Sequence, residues 1–365
     1  MSAPIEKYAD YVNTVSGKIL LGCDGFVDEV YQIVDVRKSL AEYTAMDKVK
    51  QFGDLIVDRA DGGVGLEIVH VRRCSGGFTP NTGRVAALLG LRPTLAGLYG
   101  EKEIDPAFHE FVDNCNLMSL GESAVTLVFE FPDGKILMSD LKTVAELTWA
   151  DFAAHFGEDG LKTLFSGVDV LGLGYWSLTP DFDNLLKGFM AEADTASPPR
   201  RMFFDFADIK KKADECFGET LALIKQFNDK IPMTLSLNEH EVFELFKRVG
   251  VDCNEHDPAK VAAALTVARD KIGIDELVVH TPVYAAASSA TDGEGTAMQD
   301  TQTDVIRTAG AGDTFNGGYL CASLGDLTVK ERLVIANAAT AFFVTHATAP
   351  NKEELIAQIE KATDK

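Results

Sequence analysis

The alternation of short apolar runs with longer amphipathic segments constrains the fold of this chain more than any other feature of its sequence. The apolar runs are short enough to be buried strands, and the segments between them carry apolar residues at helical spacing. The predicted strands are 19–22, 94–98, 168–174, 201–206, 233–237 and 276–281. The predicted helices are 81–90, 181–194, 213–228, 239–248, 258–272, 313–324, 328–346 and 352–363. Strands that alternate with helices indicate an α/β fold of three layers, in which a doubly wound, mainly parallel sheet carries helices on both faces.

Two stretches do not follow this alternation. Residues 28–73 contain the polar, glycine-rich segment DRADGGVG and then LEIVHVRR, which is typical of an extended strand. Residues 123–140 predict a β-hairpin that turns at the sequence PDG. We expect both stretches to form a small β lid over the site, and we expect residues 1–365 to form a single domain that includes this lid.

Composition and charge argue against several classes of protein. The formal net charge of −22 is unfavourable for general binding of nucleic acids, because a phosphate backbone requires a positive surface. No run approaches the roughly 18 consecutive apolar residues of a membrane span, and the first residues lack the pattern of a secretory signal. The six cysteines include no Cys-x-x-Cys pair, so we expect reduced thiols. These observations predict a cytoplasmic protein whose partners are neither nucleic acid nor membrane.

The strongest chemical signal is the segment TAGAGDTF at residues 308–315, which precedes a predicted helix. Its small residues allow the backbone to approach a ligand closely, and the amides at the first turn of a helix favour an anion. Asp313 in that turn is well placed to accept a proton from an attacking hydroxyl. Phosphoryl transfer needs this combination of a positioned nucleophile and an electrostatic cradle. A plain glycine-rich turn capped by Asp313 is the structural alternative.

Three segments, in order, resemble the signatures of the ribokinase-like (PfkB) carbohydrate kinase family. TAGAGDTF is similar to the C-terminal signature of that family, D-T-x-G-A-G-D-x-F. Residues 76–86, GGFTPNTGRVA, match its N-terminal signature of two glycines followed by an asparagine and a helix. Residues 238–241, NEHE, match its N-x-x-E motif. Together with the opening segment GCDGFVDEV, the resemblance covers nearly the whole chain. It implies a ribokinase-like fold, a carbohydrate kinase activity, and ATP and Mg²⁺ as cofactors.

The resemblance implies roles for residues that surround the transferred phosphate. Asp313 is then the catalytic base. The anion hole is formed with it by Gly310, Ala311 and Gly312. Asn238 and Glu241 organise Mg²⁺, mostly through water, as suits an ion that keeps most of its hydration shell.

The nucleotide side departs from the family pattern. The aspartate that usually opens the last signature is Arg307 here, which either contacts phosphate or lies on the surface. The T-x-G-x-x-G loop of the family corresponds to TPVYAA, which begins at Thr281 and lacks both glycines, so the preferred phosphate donor stays open. The sequence DFADIK replaces D-P-N-x-R but retains Asp205, which is expected to face the phosphates or the metal. Asn337 is expected to line the adenine pocket by analogy.

The substrate side contains two candidate carboxylates. Asp28 corresponds best to the aspartate with which the family binds sugar hydroxyls, and Asp24 is its rival four residues earlier. A carboxylate suits a polyol because it accepts hydrogen bonds from two adjacent hydroxyls. Gly76 and Gly77 allow the backbone to approach the sugar, and Asn81 is expected either to contact it or to cap the helix that follows.

The leading hypothesis is an ATP-dependent phosphotransferase that phosphorylates a hydroxyl of a small sugar or sugar acid. One alternative is a nucleoside kinase of the same family, which needs an apolar slot for the base between lid and cleft. The other is a sugar- or nucleotide-binding protein without catalysis. The altered nucleotide loop favours that reading, whereas Asp313, Asn238 and Glu241 oppose it, because a binding protein needs neither a base nor a metal organiser. Lids in this family often pair between subunits, so a homodimer through the lid is a further expectation.

Overall fold

The computed structural model describes residues 5–195 and 198–363. The strands are β1 (Ile19–Gly22), β2 (Phe26–Arg37), β3 (Tyr43–Ala45), β4 (Ile68–Gly76), β5 (Thr94–Gly97), β6 (Asn116–Ser119), β7 (Ala124–Phe131), β8 (Gly134–Asp140), β9 (Val170–Leu173), β10 (Arg201–Asp205), β11 (Met233–Asn238), β12 (Glu276–His280), β13 (Tyr284–Ser289) and β14 (Gly293–Met298). The helices are α1 (Ile5–Thr14), α2 (Val49–Asp58), α3 (Phe78–Leu88), α4 (Lys142–Glu146), α5 (Trp149–Phe165), α6 (Phe182–Thr195), α7 (Asp214–Asn228), α8 (Glu239–Val249), α9 (Pro258–Ile272), α10 (Ala311–Ala322), α11 (Val329–His346) and α12 (Lys352–Thr363). None of these helices is long and apolar enough to span a membrane.

The larger sheet contains nine strands in the order β14-β13-β12-β11-β10-β9-β1-β5-β6. The pairs β12–β13 and β13–β14 are antiparallel, and the other neighbouring strands are parallel. Successive side chains of a strand enter opposite layers. Leu20 packs into a core cluster with residues of α5 to α9, and Leu21 packs into a second cluster with α1, α3 and α10 to α12. The predicted three-layer α/β fold class is confirmed.

The smaller sheet is built from the two stretches that interrupt the alternation. Its strand order is β3-β2-β7-β8, and β4 also pairs with β2. The hairpin β7–β8 turns between Phe131 and Gly134, as the sequence predicts. Helix α2 lies within the first stretch and was not predicted. Its Phe52 ring packs against Phe131 of the sheet, with 6.2 Å between ring centroids.

Two local differences from the sequence prediction have simple physical reasons. Strands β13 and β14 were not predicted, because small residues such as those of YAAASS lack the branched and aromatic side chains typical of strands. Helix α3 begins at Phe78 rather than at residue 81, and its N-cap is Gly77. The interpretation of Asn81 as a helix cap is therefore wrong, since Asn81 is the fourth residue of the helix.

The parallel strands position the site. The carboxyl ends of β1, β9, β10, β11 and β12 meet at one edge of the larger sheet, as in other doubly wound folds. The residues at or just beyond these ends are Asp24, Tyr175, Asp205, Asn238 and His280. The smaller sheet begins at the same edge, because β2 follows β1 after only three residues.

Two glycines in neighbouring helices provide a test of the packing behind the site. A Cβ at Gly188 in α6 would lie 1.9 Å from the ring of Trp149, whereas a Cβ at Gly218 in α7 would meet nothing within 4 Å. We expect Gly188→Ala to lower the free energy of unfolding by about 1–3 kcal/mol through overpacking. We expect Gly218→Ala to raise it by up to about 1 kcal/mol through helix propensity. Urea unfolding of both variants measures the difference, and equal effects in the two would contradict the described packing of α5 on α6.

Candidate active site

The N-terminus of α10 opens at the carboxyl edge of the larger sheet and carries free backbone amides. Gly310 is the N-cap with φ of 88°, a left-handed conformation that glycine adopts without strain. The amide of Ala311 donates to the carbonyl of Thr308 at 3.2 Å. Among the described residues, the amides of Gly312 and Asp313 have no protein acceptor. Two of the predicted anion-hole amides are therefore available at the positive end of the helix.

Asp313 lies in the first turn of α10 and is 6% exposed. Its Oδ1 accepts a hydrogen bond from the hydroxyl of Tyr175 at 2.7 Å, and its Oδ2 accepts one from Nδ2 of Asn81 at 2.9 Å. Burial raises the pKa of Asp313, while these two hydrogen bonds and the charge of Lys135 act to lower it. Each carboxylate oxygen keeps further acceptor capacity, so Asp313 can still accept a proton from a hydroxyl.

A cavity of ≈ 290 Å³, the smaller cavity, opens beside Asp313. The predicted site residues that it brings together are Asp28, Gly77, Asn81, Gly310 and Asp313. The smaller sheet and its flanks contribute Phe26, Thr126, Lys135, Leu137, Ser139 and Leu141, and the remaining lining comes from Tyr175, Leu178, Lys211 and Ala309. Carboxylates, an amide and hydroxyls among apolar side chains suit a small polyhydroxylated molecule.

The structure separates the two candidate carboxylates of the substrate side. Asp28 lines the smaller cavity, and burial raises its pKa to about 6 against the opposing charge of Arg307. Asp24 is 2% exposed and is absent from the cavity lining. Its oxygens accept the amide hydrogens of Phe78 at 2.7 Å and Thr79 at 2.8 Å, which stabilises the first turn of α3. This position corrects the expectation that Asp24 contacts the substrate, because both of its carboxylate oxygens accept hydrogen bonds from amides of α3.

The glycine pair of the N-terminal signature makes room for these carboxylates. A Cβ at Gly76 would lie 2.5 Å from Oδ1 of Asp28, and a Cβ at Gly77 would lie 2.6 Å from Oδ2 of Asp24. Gly77 also has φ of 101°, which disfavours any residue with a side chain. The two glycines therefore allow the carboxylates to approach the start of α3.

A second cavity of ≈ 820 Å³, the larger cavity, borders the same turn of α10 through Ala311 and Gly312. It includes the predicted residues Asn238, Thr281 and Asn337. Its lining also contains apolar and polar groups from the loop before α10 and from α11, namely Gln299, Asp300, Thr301, Gln302, Val305, Thr308, Thr340 and Val344. This volume suits a ligand considerably larger than one that fits the smaller cavity.

The segment TPVYAA, which lacks the glycines of the family's nucleotide loop, is closed by the side chain of its first residue, Thr281. Oγ1 of Thr281 accepts the amide hydrogens of Val283 at 3.0 Å and Tyr284 at 2.9 Å. Asn337 uses its Nδ2 to donate to the carbonyls of Ala297 at 3.1 Å and Met298 at 3.2 Å, and so ties α11 to β14. Thr281 and Asn337 therefore form part of the wall of the larger cavity.

Arg307 is absent from the lining of both cavities. Its Nη2 is 3.8 Å from Sγ of Cys74, and its guanidinium lies 5.5 Å from the ring centroid of Phe343. Its positive charge lowers the pKa of Asp28 against the effect of burial. The amide of Arg307 donates to the carbonyl of Val344 at 3.2 Å, which holds this segment against α11 while the side chain reaches β4. A contact of Arg307 with phosphate therefore stays a prediction.

The N-x-x-E motif forms a capping box at the start of α8. The side chain of Asn238 accepts the amide hydrogen of Glu241 at 3.0 Å, and Glu241 accepts that of Asn238 at 2.8 Å. Burial and the charge of Asp205 raise the pKa of Glu241. Buried carboxylates that oppose each other's ionisation are stabilised by a cation. The described residues contain no group of three or more histidine, cysteine, aspartate or glutamate side chains that could hold a metal ion.

Lys135 was not predicted as a site residue, yet it lines both cavities. Burial lowers its pKa, whereas the charges of Asp313 and Asp28 act to raise it. No salt-bridge partner of Lys135 occurs in the part of the chain that the structure describes. Lys135 follows the hairpin turn directly and lies on a strand that was expected to cover the site. This place in the sequence could have identified it as a candidate.

Comparisons with known proteins agree with this architecture. The family model of prokaryotic ketohexokinase matches residues 9–362. A ketohexokinase of Haloferax volcanii is 26% identical over 345 residues, which cover 93% of this chain and 90% of that protein. A ribokinase of Arabidopsis thaliana, solved with ribose and ATP, has a TM-score of 0.64 at 15% identity and covers 95% of this chain and 99% of its own. A structure from Escherichia coli, described as a ribokinase II in complex with ATP and Mg²⁺, has a TM-score of 0.63 at 13% identity and covers 95% of this chain and 100% of its own.

The structural likenesses establish the ribokinase fold, and the family model spans nearly all of the sequence. The chain therefore belongs to the prokaryotic ketohexokinase family and is a carbohydrate kinase.

Proposed function

We propose that this chain is an ATP-dependent ketohexose kinase in which Asp313 is the general base. The observation that carries this proposal is the turn of α10, which borders both cavities. Gly310 and Asp313 line the smaller cavity, and Ala311 and Gly312 line the larger one. An acceptor in one cavity and a phosphate donor in the other therefore meet at free helix amides and a carboxylate.

The proposed reaction is an in-line phosphoryl transfer at this turn. Asp313 accepts the proton of the acceptor hydroxyl while the hydroxyl oxygen bonds to the γ-phosphorus of ATP. The bond from that phosphorus to the bridging oxygen breaks, and ADP leaves through the larger cavity. The amides of Gly312 and Asp313 and the ammonium group of Lys135 offset the negative charge of the transferred group.

The acceptor is proposed as a ketohexose for two reasons. The matching family model and the Haloferax volcanii relative both carry the name ketohexokinase. The smaller cavity of ≈ 290 Å³ is at the lower limit of ligand pockets, which span roughly 300–1,000 Å³. That volume favours a monosaccharide over a nucleoside, whose base needs additional room. Asp28 then accepts hydrogen bonds from adjacent sugar hydroxyls.

The phosphate donor is proposed as ATP with Mg²⁺, the ligands named for the Escherichia coli structure of the same fold. Asn238, which borders the larger cavity, would hold the ion through water together with Glu241 and Asp205. When bound there, Mg²⁺ supplies a positive charge that offsets the charge of the phosphates.

The test of the proposal is turnover of the wild type and of Asp313→Asn. We expect ADP release with ATP, Mg²⁺ and a ketohexose such as fructose, and much slower release with ribose or adenosine. Asp313→Asn removes the proton acceptor, so kcat should fall by a factor of about 10² or more, as for lost general-base catalysis. A coupled assay of ADP measures both.

Asp113→Asn, at an exposed position, is the matched control and should retain wild-type turnover. Preference for adenosine would replace the proposal by a nucleoside kinase. An absence of ADP with the whole sugar panel would favour a binding protein, and an unchanged kcat in Asp313→Asn would refute the base.

Lys135→Met tests the cation that borders both cavities. The substitution retains most of the length of the side chain and removes its charge, so we expect kcat to fall by a factor of about 10² through lost charge stabilisation. Thermal unfolding should confirm that the variant is folded. Lys142→Met, an exposed lysine just beyond β8, should keep full activity. Equal kinetics of the two variants would exclude Lys135 from the reaction.

Asp28→Asn tests the hydroxyl contact in the smaller cavity. Loss of a charged acceptor should raise KM for the ketohexose by a factor of about 10 or more, while KM for ATP stays the same. Steady-state kinetics with each substrate varied in turn measures the two constants. Asp35→Asn, exposed on the same strand, is the control and should change neither. A rise in KM for ATP alone would place Asp28 on the nucleotide side.

A further inference from the structure

The carboxylate of Asp313 is held at both of its oxygens by protein donors, and the two donors differ in how they are supported. Nδ2 of Asn81 donates to Oδ2 at 2.9 Å, and the hydroxyl of Tyr175 donates to Oδ1 at 2.7 Å. Asn81 belongs to the family signature on α3. Tyr175 lies just beyond β9, and neither the family signature nor the reaction proposed above gives its hydroxyl a role.

The Asn81 side is supported by a network of side chains. Nη1 of Arg84 donates to Oδ1 of Asn81 at 2.8 Å, and Nη2 of Arg84 donates to Ser75 at 2.6 Å and to Glu110 at 2.8 Å. A guanidinium only donates hydrogen bonds, so Oδ1 of Asn81 must face Arg84 and Nδ2 must face Asp313. The orientation of Nδ2 of Asn81 is therefore fixed by a network of three residues, Arg84, Ser75 and Glu110.

The hydrogen bond from Tyr175 to Asp313 has no such network behind it among the described contacts, and the position of the hydroxyl depends on the packing of the tyrosine ring. The ring lies edge-on to Phe78, with centroids 6.2 Å apart and planes at 64°. Burial and the nearby charge of Asp313 raise the pKa of Tyr175 well above its ordinary value. Tyr175 therefore keeps its proton and remains a hydrogen-bond donor.

Asp313 needs this donor because its surroundings oppose ionisation. Among the described residues, its carboxylate neighbours include Asp24 between β1 and β2, Asp28 on β2 and Asp205 at the end of β10. The charge of Asp313 raises the pKa of each of them. The cations that face it are Lys135 on β8 and Arg84 on α3. Burial raises the pKa of Asp313, and among the influences that lower it the hydrogen bond from Tyr175 is the largest.

We infer that Tyr175 is a positioning residue whose hydroxyl holds Asp313 ionised and oriented toward the smaller cavity. This inference rests on the proposed function, in which Asp313 is the base. The bond to Oδ1 occupies one acceptor position of that oxygen and leaves the remaining positions of the carboxylate for the acceptor hydroxyl.

Tyr175→Phe tests the inference, because it removes the hydroxyl and keeps the ring. Loss of a hydrogen bond to the charged form raises the pKa of Asp313, so less of the base is ionised at a given acidic pH. We expect the acid limb of the profile of kcat/KM against pH to move up by about one unit, since a hydrogen bond to a charged group is of that size. Activity should recover as the pH rises above the shifted limb, where Asp313 is again ionised.

A measurement that does not depend on turnover accompanies the kinetics. Carboxyl ¹³C-labelled aspartate allows Asp313 to be titrated by NMR, and its signal is assigned by its absence from Asp313→Asn. The titration midpoint should be higher in Tyr175→Phe than in the wild type. Tyr99→Phe is the control, because the Tyr99 hydroxyl is buried with no hydrogen-bond partner among the described residues. It should leave the midpoint and the acid limb unchanged.

The outcomes separate the inference from the proposed function. Equal Asp313 midpoints in the wild type and in Tyr175→Phe would overturn the inference, as would a uniform loss of activity at all pH values with an unmoved acid limb. A wild type that releases no ADP would count against the proposed function, and the NMR titration would still decide the role of Tyr175.

Discussion

The structure depends on one constraint: a buried carboxylate, Asp313, must remain at the N-terminus of a helix that is itself packed in the core. Helix α10 is buried along most of its length, and Tyr319 and Leu320 pack into the core cluster that includes residues of α3 and α11. The helix cannot shift without disturbing that core. The free amides of its first turn and the carboxylate of Asp313 therefore have fixed positions between two cavities, and this arrangement suits phosphoryl transfer.

The rest of the site is arranged around that carboxylate. The parallel strands of the larger sheet end at the same edge and bring Asp24 and Asp205 close to it, and the smaller sheet adds Asp28. Glycines make this crowding possible where β4 meets α3. The smaller sheet also adds Lys135, so the two cavities share one cation. Acidic groups thus dominate a site that must bind phosphate. The positive electrostatic potential that phosphate requires comes from helix amides and a few cations.

The sequence predicted what depends on local patterns. The strand–helix alternation led to the fold class, and a compact motif led to the α10 turn, because its residues are neighbours in the chain. Residues whose position depends on distant segments were harder to place. Asp24 and Asp28 are four residues apart, and only the start of α3 distinguishes them, because its amides bind Asp24. The sequence left open whether Arg307 contacts phosphate or lies on the surface, and in the structure its segment hydrogen-bonds to Val344 while its side chain reaches β4. Tyr175 lies 138 residues from Asp313 in the chain, and no spacing rule links them.

A crystal structure of the protein with a ketohexose and an unreactive ATP analogue would show whether the two substrates meet at the α10 turn. We expect a sugar hydroxyl within hydrogen-bond distance of Asp313, about 2.6–3.2 Å, and a γ-phosphate that contacts the amides of Gly312 and Asp313. A sugar bound with all its hydroxyls away from Asp313, or a nucleotide whose phosphates avoid the α10 turn, would contradict the proposed reaction.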